Sequence, residues 1–150
     1  LNTTVERCLE TMIIDSDNDC AHAFADLIGW QSIAEEGRAL GATDLDWSET
    51  LYGSTHDGLV VPIKLARSEI LTDSSENLLV SLRSRQRSRS GIPAGTASQV
   101  ADKVGFYDGW LNDSGIVYKN RAYVLSIYTF NESWQLISDI TKQIETLITD

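Results

Sequence analysis

The hydrophobic period of this chain changes once, near residue 98, and that change constrains its fold more than any other feature. Before it, apolar residues recur at the three- and four-residue spacing of amphipathic helices. After it, stretches rich in Val, Ile and Tyr predict strands over residues 98–107, 114–118 and 122–129. Helical spacing then returns. The sequence therefore predicts an α+β fold: a helical part, then three antiparallel strands, then a C-terminal helix packed on the sheet.

Start and stop signals divide the helical part into five helices. They are expected to begin near Val5, Asp19, Ser32, Thr55 and Asp73. Pro62 falls inside the fourth helix and should kink it or delay its start. Asn131 is expected to cap the C-terminal helix.

Length and composition fit one globular domain. The chain has 150 residues, of which 42% are hydrophobic and 23% charged, which is enough apolar material for a core. Within this domain we expect a helical region at about 1–92, followed by the sheet and the last helix at about 93–150. No leader peptide or membrane-length apolar run is expected.

The charge balance argues against a nucleic-acid partner. The formal net charge is −10, whereas phosphate neutralisation needs clustered Lys and Arg. Residues 83–89 carry four arginines and are the one basic stretch. We interpret them as a solvated helix end and loop, with a patch for an anion or a cell-wall polymer as the alternative.

Signals for cofactors and metals are missing. The sequence has no G-x-G-x-x-G and no P-loop, and zinc is not expected because Cys8 and Cys20 are twelve residues apart with only His22 and His56 as further soft ligands. The two cysteines lie on helical patterns joined by a short turn. They could form a disulfide or remain buried thiols, and a disulfide would fit an extracytoplasmic compartment.

Two short polar motifs carry the candidate chemistry. Ser16-Asp17-Asn18 lies in the turn between the first two helical patterns, and Lys103-Val104-Gly105 lies on the first predicted strand. The first is S-D-N and the second is K-T-G-like, and in this order they correspond to two of the three signatures of penicillin-recognising serine enzymes. The third, S-x-x-K, is absent, because no serine lies three residues before any of the four lysines, Lys64, Lys103, Lys119 and Lys142.

With its surrounding helices and strands, the chain resembles the later part of class A β-lactamases and related penicillin-binding serine hydrolases. The resemblance implies that the Ser16 hydroxyl relays a proton to the leaving nitrogen. It also implies that Asn18 hydrogen-bonds the ligand's amide side chain or orients the lysine of the absent S-x-x-K segment. Lys103 would hold its ammonium near Ser16 and the substrate carboxylate. The backbone N–H of Phe106, next to Gly105, would form half of an oxyanion hole. The absent upstream part would contain the nucleophile, so we expect the chain to be a fragment.

Several positions depart from the family pattern. Val104 replaces the Thr or Ser whose hydroxyl binds the substrate carboxylate, which should weaken β-lactam recognition by about 1.5–3 kcal/mol. Glu49 and His22 are weaker candidates, since Glu49 lacks the surrounding E-x-x-L-N pattern and His22 falls where relatives often have asparagine. The alternative for His22 is a packing residue on a helix face.

The sequence supports two hypotheses. One is the C-terminal part of a bacterial, extracytoplasmic serine hydrolase that acts on a β-lactam or a peptidoglycan-like amide and is inactive as the isolated chain. The other is a non-catalytic binding or interaction domain on the same scaffold. Because the upstream strands would be missing from the far edge of the sheet, self-association or strand exchange is expected.

Overall fold

The computed structural model describes residues 2–46 and 53–148. In chain order its elements are α1 Val5–Ile14, α2 Asn18–Ile28, α3 Trp30–Leu40, α4 Thr55–Ala66, α5 Asp73–Ser84, a 3-10 turn Ile92–Gly95, β1 Gln99–Tyr107, β2 Trp110–Tyr118, β3 Tyr123–Phe130 and α6 Trp134–Leu147. The predicted α+β order is confirmed. No helix in these ranges is long and apolar enough to span a bilayer.

A disulfide joins α1 and α2 behind the turn that connects them. Cys8 and Cys20, both buried, are bonded with their Cα atoms 5.3 Å apart. The Thr4 hydroxyl caps α1, and the Asp17 carboxylate accepts the N–H of Cys20 at 2.8 Å and caps α2. Of the two states left open by the sequence, the structure contains the disulfide, and it crosslinks the helices on either side of Ser16.

The starts of α3 and α4 compare differently with the sequence expectation. α3 begins at Trp30 rather than Ser32, because Gly29, at φ 95°, both ends α2 and precedes α3. α4 begins at Thr55 as predicted, so of the two effects expected of Pro62, a kink or a late start, the late start was wrong. Ser54 and Asp57 form a reciprocal capping box that fixes its start at Thr55, and Pro62 is buried in its interior.

The sheet has the order β1-β2-β3, with both neighbouring pairs antiparallel. β2 starts at Trp110, four residues before the predicted start at residue 114. The reason is a two-residue turn at Asp108 and Gly109, whose φ values are 45° and 82°. Asp-Gly is a typical hairpin signal that the prediction missed.

Asn131 does not cap α6 as expected. It has φ 54°, and its N–H donates to the Gly109 carbonyl at 2.8 Å, so it belongs to the end of the sheet. Ser133 takes the N-cap position instead.

The two faces of the sheet pack against different layers. On one face, the 3-10 turn and α6 complete an apolar core of Ile92, Val100, Val117, Ile127 and Ile137. On the other face lies α4, where a Cβ at Gly58 would come within 2.5–2.7 Å of the hydroxyls of Ser114, Ser126 and Tyr128. Glycine at position 58 therefore lets α4 approach the sheet closely. β1 lies next to the turn between α1 and α2.

Candidate active site

Ser16 is held in an uncommon backbone conformation at the turn between α1 and α2. Its φ is 56°, in the left-handed region that non-glycine residues rarely adopt. The Nε2 of Gln86 donates to Ser16 Oγ at 3.4 Å and to the Ile13 carbonyl at 3.3 Å. The N–H of Arg87 donates to the Ile14 carbonyl at 2.9 Å. Contacts from the segment after α5 therefore keep the turn in place.

Lys103 meets Ser16 across the junction between β1 and this turn. Its Nζ donates a short hydrogen bond to Ser16 Oγ and a second one to the Val104 carbonyl at 3.0 Å. The structure thus brings together two motifs that lie 87 residues apart in sequence.

The environment of Lys103 makes its proton easier to lose. Burial and the nearby Arg83 lower its pKa, Asp102 and Asp113 partly oppose them, and the pKa of Lys103 is about 8 as a result. At neutral pH the ammonium still predominates and donates to Ser16. Above about pH 8 the neutral amine predominates.

A cavity of about 430 Å³ opens beside Ser16. Its lining includes Ser16, Gln86, Arg87, Val104, Phe106 and Trp134. Val104 is only 4% exposed, whereas Phe106 is 65% exposed. The cavity wall at Val104 therefore offers a ligand methyl groups and no hydroxyl.

Nothing in the described part of the chain requires glycine at position 105. A Cβ built there would have only Asn112 within 4 Å, at 3.9–4.0 Å. That is ordinary van der Waals contact, so packing within the described residues does not require glycine at this position. The oxyanion role of the Phe106 N–H stays a prediction.

The other candidates are not joined to the Ser16–Lys103 pair by a described contact. Asn18 is exposed at the first position of α2. His22 is also exposed, and its ring lies edge-on to Trp30 with centroids 5.5 Å apart. Glu49 lies outside the described residues. The roles suggested for these three stay predictions.

The interpretation of residues 83–89 as solvated was wrong for Arg83. This side chain is buried, and its Nη2 donates to the Ser114 carbonyl at 2.7 Å. The other arginines form ion pairs, which are Arg85 with Glu10, Arg87 with Asp15 and Arg89 with Asp102. The basic stretch therefore connects the first helices to the sheet.

Two buried carboxylates beneath the site were missed by the sequence analysis. Asp102 and Asp113 are both 0% exposed. Burial raises the pKa of Asp102 to about 6, against the opposing effect of Arg89 and Arg83. Burial and the charge of Asp102 raise the pKa of Asp113 to about 7. The burial of Asp102 could have been predicted from the sequence. Asp102 lies two residues from both Val100 and Val104, so in a strand its side chain points to the same inward face as theirs.

One group of residues away from this site has ligand atoms close enough for a metal. The ligand atoms of Asp44, His56 and Asp57 lie within 4.8 Å of one another. However, Asp57 Oδ1 accepts the N–H of Asp44 at 3.2 Å and its Oδ2 accepts that of Ser54 at 2.9 Å. Asp57 therefore caps α4 and also accepts a hydrogen bond from the backbone of Asp44.

Comparisons with known proteins agree with the fold. A structure titled as PBP-A is 20% identical, with a TM-score of 0.83 over 97% of this chain and 63% of that one. A β-lactamase from Sphaerobacter thermophilus is 22% identical, with a TM-score of 0.88 over 100% of this chain and 66% of that one. A β-lactamase from Streptomyces albus G is 20% identical, with a TM-score of 0.82 over 98% and 65%.

The chain thus spans 63–66% of the length of these structures. At such identities the likeness establishes the fold alone, and no curated protein matches the sequence significantly. The sequence model of the beta-lactamase enzyme family, however, matches residues 1–149. Since that match covers nearly every residue and the fold agrees with it, the chain belongs to the beta-lactamase enzyme family.

Proposed function

We propose that this chain is the C-terminal part of a serine hydrolase that transfers an acyl group from a β-lactam or a peptidoglycan-like amide to a serine outside these 150 residues. The observation that carries the proposal is the hydrogen bond from Lys103 Nζ to Ser16 Oγ. It joins an amine of lowered pKa to a hydroxyl beside an open cavity. A hydroxyl that is hydrogen-bonded to such an amine can pass a proton to a leaving nitrogen.

Each residue has a distinct task in that reaction. The Ser16 hydroxyl donates its proton to the leaving nitrogen and is resupplied through the Lys103 ammonium. The positive charge of Lys103 also attracts the ligand's carboxylate. Asn18 binds the ligand's amide, and the N–H of Phe106 stabilises the oxyanion. The nucleophile and the rest of the oxyanion hole come from outside this sequence.

The ligand class is supported by one of the related structures. A PBP-A mutant, 20% identical to this chain, is described as an acyl-enzyme complex with penicillin G. In this chain the buried Val104 supplies no hydroxyl for such a carboxylate. We therefore expect slow acylation by penicillins rather than efficient antibiotic hydrolysis.

The isolated chain is proposed to be inactive, since it has no S-x-x-K. The location is proposed to be extracytoplasmic, and the Cys8–Cys20 disulfide supports this because such bonds persist in oxidising compartments. Self-association is proposed through β3, which pairs only with β2 among the described strands and leaves its outer edge open.

Intact-mass spectrometry tests the hydrolase. The longest natural form of the protein is incubated with benzylpenicillin, and we expect a mass gain of one penicillin. Ser16→Ala should slow the gain, whereas Ser81→Ala, which alters an exposed serine of α5, should not. Equal rates for both variants would remove Ser16 from the mechanism.

A non-catalytic binding domain is the second candidate. Val104 in the cavity wall and the absence of S-x-x-K favour it. It predicts that the same incubation gives no mass gain, while penicillin or a peptidoglycan fragment still binds reversibly. A covalent adduct would exclude it.

A further inference from the structure

Both ends of the Gln86 amide are hydrogen-bonded, and the partners fix which end faces Ser16. Nε2 donates one hydrogen to the Ile13 carbonyl at 3.3 Å and the other to Ser16 Oγ at 3.4 Å. Oε1 accepts the N–H of Ser88 at 3.4 Å. A carbonyl oxygen only accepts and a backbone N–H only donates, so Ile13 and Ser88 require the same orientation of the amide. Gln86 therefore meets Ser16 as a donor.

The second partner of Ser16 Oγ is also a donor. Lys103 Nζ donates to Ser16 Oγ and to the Val104 carbonyl. Because its pKa is about 8, Lys103 is mostly an ammonium at neutral pH and has no lone pair with which to accept a hydrogen. The bond between the two side chains therefore runs from Lys103 to Ser16.

These two donors leave one direction for the hydrogen of the Ser16 hydroxyl. A serine hydroxyl has two lone pairs and one hydrogen. Lys103 occupies one lone pair and Gln86 the other, so the hydrogen is directed away from both. Within residues 2–46 and 53–148, Ser16 Oγ has these two partners and no acceptor. Ser16 is half-buried and lines the cavity of about 430 Å³, which is the open space left for its hydrogen.

We propose that Gln86 is a positioning residue that, together with Lys103, directs the hydroxyl hydrogen of Ser16 into the cavity as the proton for the ligand's leaving nitrogen. The proton transfer rests on the proposed function, whereas the direction of the hydroxyl does not. In the transfer, the O–H bond of Ser16 breaks as an N–H bond forms on the leaving nitrogen. Lys103 then passes one proton to Ser16 Oγ along the existing hydrogen bond, and Gln86 exchanges none.

Loss of the Gln86 amide should affect ligands according to their leaving group. Without this donor, one lone pair of Ser16 Oγ is unoccupied and the hydroxyl can rotate away from the leaving nitrogen. An amide nitrogen needs a proton to depart, so its departure should slow. A p-nitrophenolate departs as an anion and needs no proton from Ser16. A variant that merely loosened the turn would slow both reactions.

The test incubates the longest natural form of the protein and its Gln86→Met variant with benzylpenicillin and, separately, with p-nitrophenyl phenylacetate at neutral pH. We expect the variant to be acylated about tenfold or more slowly by benzylpenicillin, at an unchanged half-saturating concentration. Its acylation by the ester should stay within about twofold of the original rate. Gln143→Met, at an exposed position of α6, should change neither rate. Equal slowing with both ligands would overturn the proposal.

Neutron diffraction from crystals of the unsubstituted protein tests the direction of the hydroxyl without any reaction or variant. At neutral pH we expect the deuterium of Ser16 Oγ to point into the cavity and one deuterium of Gln86 Nε2 to point at Ser16 Oγ. A Ser16 deuterium directed at Lys103 or at Gln86 would overturn the proposal, whether or not penicillin acylates the protein. The expected direction without an adduct from either ligand would support the orienting role of Gln86 and contradict the proposed function.

Discussion

Gln86 donates a hydrogen bond from its Nε2 to the hydroxyl oxygen of Ser16, 3.4 Å away, although 70 residues separate them in sequence. Gln86 is 2% exposed, so the bond forms where water does not compete. The same amide also donates to the Ile13 carbonyl. Gln86 therefore helps to hold the turn of Ser16 in its conformation.

Replacing Gln86 with alanine should destabilise the protein and loosen Ser16. Loss of the amide removes the hydrogen bonds to the Ile13 carbonyl and the Ser16 hydroxyl, both part-buried, which costs about 1–3 kcal/mol in the free energy of unfolding. Urea denaturation measures this cost. Gln143→Ala, at an exposed position of α6, should change stability by less than about 0.5 kcal/mol, and a similar loss in both variants would contradict the assigned role.

Reducing the Cys8–Cys20 disulfide should weaken the same turn. The bond closes a loop with a sequence separation of 12, and a loop of this size typically contributes about 2–4 kcal/mol. We expect the Cys8→Ser/Cys20→Ser double variant to unfold at correspondingly lower denaturant concentration. Reductant should then destabilise the original protein and leave the double variant unchanged. Sensitivity of the double variant to reductant would contradict the prediction.

Two glycines of the site region should respond differently to alanine. At Gly91 a Cβ would lie 2.3 Å from Asp113 Oδ2, so Gly91→Ala should displace that buried carboxylate and cost about 1–3 kcal/mol in the free energy of unfolding. At Gly105 a Cβ meets only Asn112 at ordinary distance. Gly105→Ala should therefore change stability little while slowing acylation by penicillin. Denaturation and intact mass distinguish these effects, and strong destabilisation by Gly105→Ala would indicate a packing role.

The sequence predicts the elements better than it predicts the buried polar cluster. Capping residues and apolar spacing act locally, so the starts of α1 at Val5 and α4 at Thr55 could be predicted directly from the sequence. The motif pair at Ser16 and Lys103 could be found because it resembles a known family. Arg83 could not be recognised as buried, because its partner, the Ser114 carbonyl, is defined only once the sheet has formed.

The raised pKa values of the buried carboxylates predict a pH-dependent stability. The pKa of Asp113 is about 7 in the folded protein, against about 3.9 when unfolded. Between these values the folded state binds more protons, so the contribution of this group to stability falls as the pH rises from about 4 to about 7. Denaturation at pH 5 and pH 8 should show a smaller pH difference in Asp113→Asn than in the original protein. An unchanged difference would contradict the raised pKa.

Val104→Thr should distinguish a slow hydrolase from a binding domain. Val104 lines the cavity beside Ser16, and a threonine hydroxyl there could donate to a ligand carboxylate. Such a charge-assisted bond is worth about 1.5–3 kcal/mol, or roughly a 10- to 150-fold faster acylation of the longest natural form by benzylpenicillin if it forms in the transition state. Val100→Thr places the same hydroxyl in the apolar core instead and should lower stability without faster acylation. If Val104→Thr folds normally and still gives no penicillin adduct, the lost hydroxyl is not what limits this site, and the binding-domain interpretation gains support.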